Sequence, residues 1–98
     1  MGGISVVATI TAKNGEGDAV AAALSEAAAG VAANEPGCHF YRIARSTDEP
    51  NVFKVLESYE GDEAVAAHRD SEHFKALGAA LRGKLAGAPV VERYETVA

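Results

Sequence analysis

Cysteine occurs once in this chain, at Cys38, so no internal disulfide can form. The apolar, strand-like context of Cys38 predicts a buried, inert thiol, with no His or Lys spaced to activate it. Long apolar runs are missing too: nothing approaches the roughly 18 residues that a membrane span requires. Basic residues are few and scattered, 9 Lys and Arg against 14 Asp and Glu, and the net charge of -5 repels a phosphate backbone. Membrane and nucleic acid are set aside as partners. The start MGGISVVATITAK has no basic stretch ahead of its apolar residues, so a cytoplasmic location is expected. Glycine-rich phosphate or dinucleotide loops, Cys-x-x-Cys, G-x-S-x-G and H-E-x-x-H are all absent. Any chemistry must come from scattered polar groups gathered in a pocket.

What is present is a chain of 98 residues, 48% hydrophobic, the size of one domain spanning 1–98 and near the limit where burial alone is marginal. Ile4, Val6, Ala8, Ile10 and Ala12 alternate with Ser5, Val7, Thr9 and Thr11, the period of a strand over residues 4–13. Val20, Leu24, Ala27 and Val31 then recur at helical spacing over residues 17–33, and NEPG stops the helix. CHFYRIARS and NVFKVLESYE flank TDEP and predict a hairpin. From Asp62 a helical pattern carries Phe74, Leu77, Leu81 and Leu85 along one side to about Ala86, and GAPVVERYETV supplies a fourth strand. The order β-α-β-β-α-β is that of an α+β, ferredoxin-like fold with an antiparallel four-stranded sheet.

In such a fold helices cover one sheet face only. Here both faces are apolar: Val52 and Leu56 alternate with Phe53 and Val55, Val90 adjoins Val91, and Phe40 and Tyr41 point opposite ways. A second sheet is expected on the bare face, as in a two-fold homodimer burying more than about 1,000 Å².

The stretch AHRDSEHF, residues 67–74, concentrates polar chemistry in a bland Ala-rich region. His68 and His73 stand about 140° apart on an ideal helix, so one metal cannot take both unless the helix breaks. RDS offers such a break, with Ser71 or Asp70 capping a new helix and Glu72 in its first turn. A metal site would further require His39 to converge, and none is expected. Glu57 shares its strand phase with Phe53, Val55 and Tyr59, so its carboxyl is buried and its pKa raised. That describes either a base or an ion pair with Arg42, Arg45 or Arg93. Tyr41 is either a core anchor or a hydrogen-bonding partner for a phenolic substrate.

The run EPGCHFYRIARSTDEPNVFKVLESYEGDEAVAAHRDSEHFKAL resembles the antibiotic biosynthesis monooxygenase family. Its Glu-Pro-Gly-Cys start, Asp-x-Pro-Asn hairpin and Tyr-Glu-Gly-Asp-Glu-Ala segment lead, in that order, to Ala-His-x-x-Ser-x-His-Phe. The resemblance implies small homodimers whose sheets pack into an α/β barrel, with a pocket between each sheet and its helices. Many members oxidise quinols or polycyclic phenols with O₂ and use no flavin, heme or metal. A deprotonated phenol can itself pass an electron to oxygen, so the protein need only bind it in a dry cavity, remove a proton and shield the intermediate. Carried onto this chain, the resemblance makes His68 the catalytic group, with His73 and Phe74 beside the substrate one turn on. It also matches Glu57 to a recurrent strand glutamate. Heme-degrading relatives carry a Trp where His68 stands and a heme-ligating His where this chain has Gly78, which disfavours heme cleavage. The absence of Trp also departs from relatives that oxidise polyketide anthrones.

A non-oxidative alternative is isomerisation of a small phosphorylated metabolite or signalling molecule, with Arg69, Lys75 and Arg82 as cationic candidates. A third reading is a dimeric ligand-binding module without turnover.

Overall fold

The structure, a computed structural model, describes residues 2–98. In chain order its elements are β1 (Ile4–Thr11), α1 (Gly17–Asn34), β2 (Cys38–Arg45), β3 (Val52–Tyr59), α2 (Asp62–Asp70), α3 (Glu72–Leu81) and β4 (Val90–Glu95). The four strands form one sheet in the order β2-β3-β1-β4, every neighbouring pair antiparallel. This is the α+β, ferredoxin-like arrangement that the sequence predicts, with the second helical region divided in two.

The alternation in β1 turns Val6, Ala8 and Ile10 under the helices, and the register sets Val55 and Phe53 beside Ala8 and Ile10 on the same face. The α1 stripe of Val20, Leu24 and Ala27 closes on them, with Leu77 and Leu81 of α3 completing the main core. Val6, Tyr59 and Val65 of α2 form a second cluster at the other end of the sheet.

The helical pattern ends earlier than its leucine spacing predicts. Arg82 is extended, Gly83 has a φ of 79° that suits glycine, and Leu85 makes a β-bridge to Ala12 instead of a further helical turn. Leu85 still packs against the main core, so its apolar character reports burial but not helix.

Among the described residues, no helix covers the last strand. Every β4 residue is exposed, including Val91 and Arg93, which pair with Ala8 and Val6 and therefore lie on the helix side of the sheet. The uncovered strip is where the fold leaves room for a ligand.

Candidate functional site

The break after Asp70 brings the site together. Ser71 has extended backbone, and its hydroxyl donates to the carbonyl of His68 at 2.7 Å while accepting the N–H of Phe74 at 3.2 Å. One side chain thus ends α2 and caps α3. The change of direction removes the angular separation that a continuous helix would impose, and His68 and His73 turn toward the same carboxylate. That carboxylate is Glu35, the residue at the end of α1, just before Pro36 and Gly37.

His68 Nδ1 lies 2.9 Å from Glu35 Oε2 and 3.2 Å from Oε1, and His73 Nε2 hydrogen-bonds Oε2. Only 6% of the Glu35 side chain and 7% of the His68 side chain are exposed. Four rings surround His68: Tyr41 at 5.4 Å between centroids, Tyr59 at 5.5 Å, His73 at 6.2 Å and Phe74 edge-on at 5.1 Å. The three donor atoms of Glu35, His68 and His73 lie within 4.8 Å of one another, the chemistry of a two-histidine, one-carboxylate metal site. His68 Nδ1 and His73 Nε2 both lie within hydrogen-bonding reach of Glu35 Oε2, and a proton on each nitrogen closes the cluster by hydrogen bonds.

His68 also forms part of the wall of a cavity of about 440 Å³ between the sheet and the α2–α3 pair. The body of the cavity is apolar, with Ala8, Leu24, Val55, Leu77 and Val91 among its walls. Its polar end is made by His68, Tyr41, Glu57 and Tyr59, while Arg69 and Arg93 stand on its lining. The volume suits a small organic ligand, and a few convergent polar groups in an apolar hollow are the usual composition of such a site. Gly78 of α3 contributes bare backbone to the wall, and a Cβ added there would meet nothing within 4 Å.

The electrostatics at the polar end follow from burial. Glu57 accepts a 2.6 Å hydrogen bond from the Tyr59 hydroxyl. Desolvation raises its carboxyl above the ordinary value, against the opposing effects of that hydrogen bond and of His68 and Arg69. Tyr41 is pushed up by burial first and by the neighbouring Glu57 next, and Tyr59 by burial and by its bond to Glu57. Both phenols are therefore donors at neutral pH.

Of the residues singled out in the sequence, His68, Glu57, Tyr41 and Phe74 converge on this one cavity. His73 is not part of its lining. It faces a second, smaller hollow with Glu35 and Cys38, and its ring is mostly buried. The ion pair expected as an alternative for Glu57 is not made among the described residues. Arg45 pairs with Asp18, Arg93 with Asp62, and Arg42 lies over the Phe40 ring, while Tyr59 takes the place beside Glu57. His39, the expected third ligand, stands 3.9 Å from Glu60 on an exposed strand edge, away from the histidine pair. Cys38 is half-buried with its thiol pushed up chiefly by burial, which suits an inert role. Lys75 pairs with Glu72 and Arg82 is exposed beyond α3; of the three cationic candidates Arg69 alone reaches the cavity.

Glu35 was missed as a site residue. A signal existed: a carboxylate at a helix C-terminus meets the negative end of the helix dipole, so something else must favour it there. Tyr59 was placed in the core, but not as the hydrogen-bond partner of the glutamate two residues before it.

A profile of the antibiotic biosynthesis monooxygenase family matches residues 3–80. Among solved structures, an inferred antibiotic biosynthesis monooxygenase of Caulobacter crescentus is 41% identical, with 99% of this chain and 92% of that one covered at a TM-score of 0.93. A Pseudomonas aeruginosa protein is 23% identical over 100% of this chain and 97% of its own, at a TM-score of 0.90. Another inferred monooxygenase, from Nitrosomonas europaea, is 20% identical over 97% and 90%, at 0.92. The last two show likeness of fold. No curated protein matches the chain.

Proposed function

The chain belongs to the antibiotic biosynthesis monooxygenase family, and from that premise we propose that it oxidises a small quinol-like or polyphenolic substrate with O₂ in the large cavity. The observation that carries this reading is a buried histidine, tied to a carboxylate through Nδ1, in the wall of an apolar cavity open over β4. The phenol enters between the sheet and α2–α3 with its ring among the apolar side chains. His68 Nε2 takes its proton, and the resulting imidazolium is offset by Glu35. The phenolate passes one electron to O₂, and the aryloxyl radical and superoxide join through a new C–O bond at a ring carbon. The O–O bond then breaks, one oxygen leaving as water with protons from the ring carbon and the site, the other remaining as a quinone carbonyl. The balance is phenol plus O₂ giving quinone plus water, with the substrate as the only reductant and no cofactor called for. Glu57, its carboxyl pushed up by burial, supplies the proton to the departing oxygen and regains one from the His68 imidazolium, which returns both groups to their starting states. Tyr41 and Phe74 orient the ring.

The proposal includes a cytoplasmic homodimer. The sheet face away from the helices carries Phe40, Val90 and Tyr94, which are 41%, 59% and 49% exposed, together with Val7, Val52 and Leu56. A second sheet packed on that face gives the barrel and removes the patch from water.

Oxygen uptake measured with a panel of single-ring and polycyclic quinols tests the reading. The expected result is turnover that His68→Ala lowers at least about 10²-fold. Equal rates in the two proteins would remove His68 from the role of base. A non-oxidative isomerase is the second reading, favoured by Arg69 on the cavity wall, which suits an anionic substrate group. Product formation unchanged under nitrogen would select it.

A further inference from the structure

We infer that Glu35 and His73 are positioning residues, a buried relay that fixes which nitrogen of His68 carries the proton. A carboxylate only accepts hydrogen bonds, so the contact at 2.9 Å requires the proton to sit on His68 Nδ1. Neutral His68 then has its lone pair on Nε2, the arrangement a base needs. An imidazole without such a partner favours the opposite tautomer, with Nε2 protonated and useless as an acceptor. The choice of tautomer is set by the bond the other nitrogen makes. Here that bond comes from the end of α1, 33 residues before His68.

His73 belongs to the same device. It donates a second hydrogen bond to Glu35 Oε2, which holds the carboxylate turned toward His68 in a site almost closed to solvent. Its own seat is provided by Gly30 of α1: a Cβ at that position would lie 2.6 Å from His73 Cβ and 2.8 Å from Cγ. Both contacts are closer than real Cβ atoms come, so any larger residue displaces the ring. Two segments distant in sequence, Gly30 to Glu35 and His68 to His73, are thus fitted to one another to hold one imidazole. The contrast with Gly78, where a Cβ meets open space, shows that Gly30 is small for a packing reason.

The kinetic part of this inference rests on His68 acting as base, but the tautomer does not. Long-range ¹H–¹⁵N spectra of protein labelled in its three histidines distinguish Nδ1–H from Nε2–H rings directly. The wild type should show His68 as Nδ1–H when neutral. Glu35→Gln, whose amide can donate to Nδ1, should shift it toward Nε2–H and lower kcat by 10²- to about 10⁴-fold with KM little changed, as mis-set tautomers do in Ser-His-Asp triads. Gly30→Ala should produce a milder form of both effects. His73→Gln, which keeps an N–H donor, should retain more kcat than His73→Leu. An Nε2–H ring in the wild type would overturn the inference without any need for a folded variant. If the tautomer is as stated and no quinol is turned over, the relay stands and the oxidase reading fails.

Discussion

Glu57 is the residue whose protonation couples most plainly to stability. Burial raises its carboxyl above its ordinary 4.5, so the folded state holds the proton more tightly than the unfolded chain. Stability is therefore lost as pH rises from that value through the folded pKa, and the cost is fully present above it. Glu57→Gln removes the titration while keeping an oxygen for the Tyr59 hydroxyl. The expected outcome is that the thermal midpoint of Glu57→Gln gains on wild type as pH rises above about 4.5, then runs parallel once Glu57 is fully ionised in the folded state. A constant difference, read by calorimetry, would show that Glu57 is not desolvated. Strand alternation was enough to find this residue, because Phe53, Val55 and Tyr59 mark its face as the buried one. Glu35 could not be found the same way. Its partners are 33 and 38 residues distant, and no periodicity links the end of one helix to the junction of two others.

Among the elements, the α2–α3 junction decides whether there is a site. RDS in the sequence marks a break, and Ser71 makes it by serving both helices. Ser71→Ala should cost about 1 kcal/mol of stability, the usual value of an N-cap. It should also loosen His73 against Glu35, visible as broadened His73 ring signals. The α3 helix carries a second test at Gly78. Glycine inside a helix costs roughly 0.5–1 kcal/mol relative to alanine, and here no packing demands it. Gly78→Ala should raise the thermal midpoint. Gly78→Phe should project into the cavity and lower turnover of polycyclic quinols far more than that of single-ring ones; an unchanged ratio would place the ligand elsewhere. The end of α3 was misread from sequence because Leu85 continues the fourfold spacing of Leu77 and Leu81, a spacing that a turn and bridge satisfy equally well.

For the whole molecule, the sheet explains both the cavity and the expected partner. Its helix side is closed over β1 and β3 and open over β4, while its other side presents apolar residues to water. The apolar outer side was legible in strands that are apolar in both phases, since a one-sided sheet would alternate cleanly, whereas the opening over β4 was not. Sedimentation equilibrium should show a dimer at micromolar concentration, and Val7→Lys or Leu56→Lys should shift it toward monomer; a stable wild-type monomer would remove the barrel. What the strands could not reveal is which residues of separate helices meet above the sheet, because that depends on tertiary placement. The oxidation chemistry itself is tested most directly by isotope. With the fastest quinol of the panel under ¹⁸O₂, mass spectrometry should find one labelled oxygen in the quinone and the other in water. A product without label, or one formed as quickly under nitrogen, would contradict the monooxygenase reading.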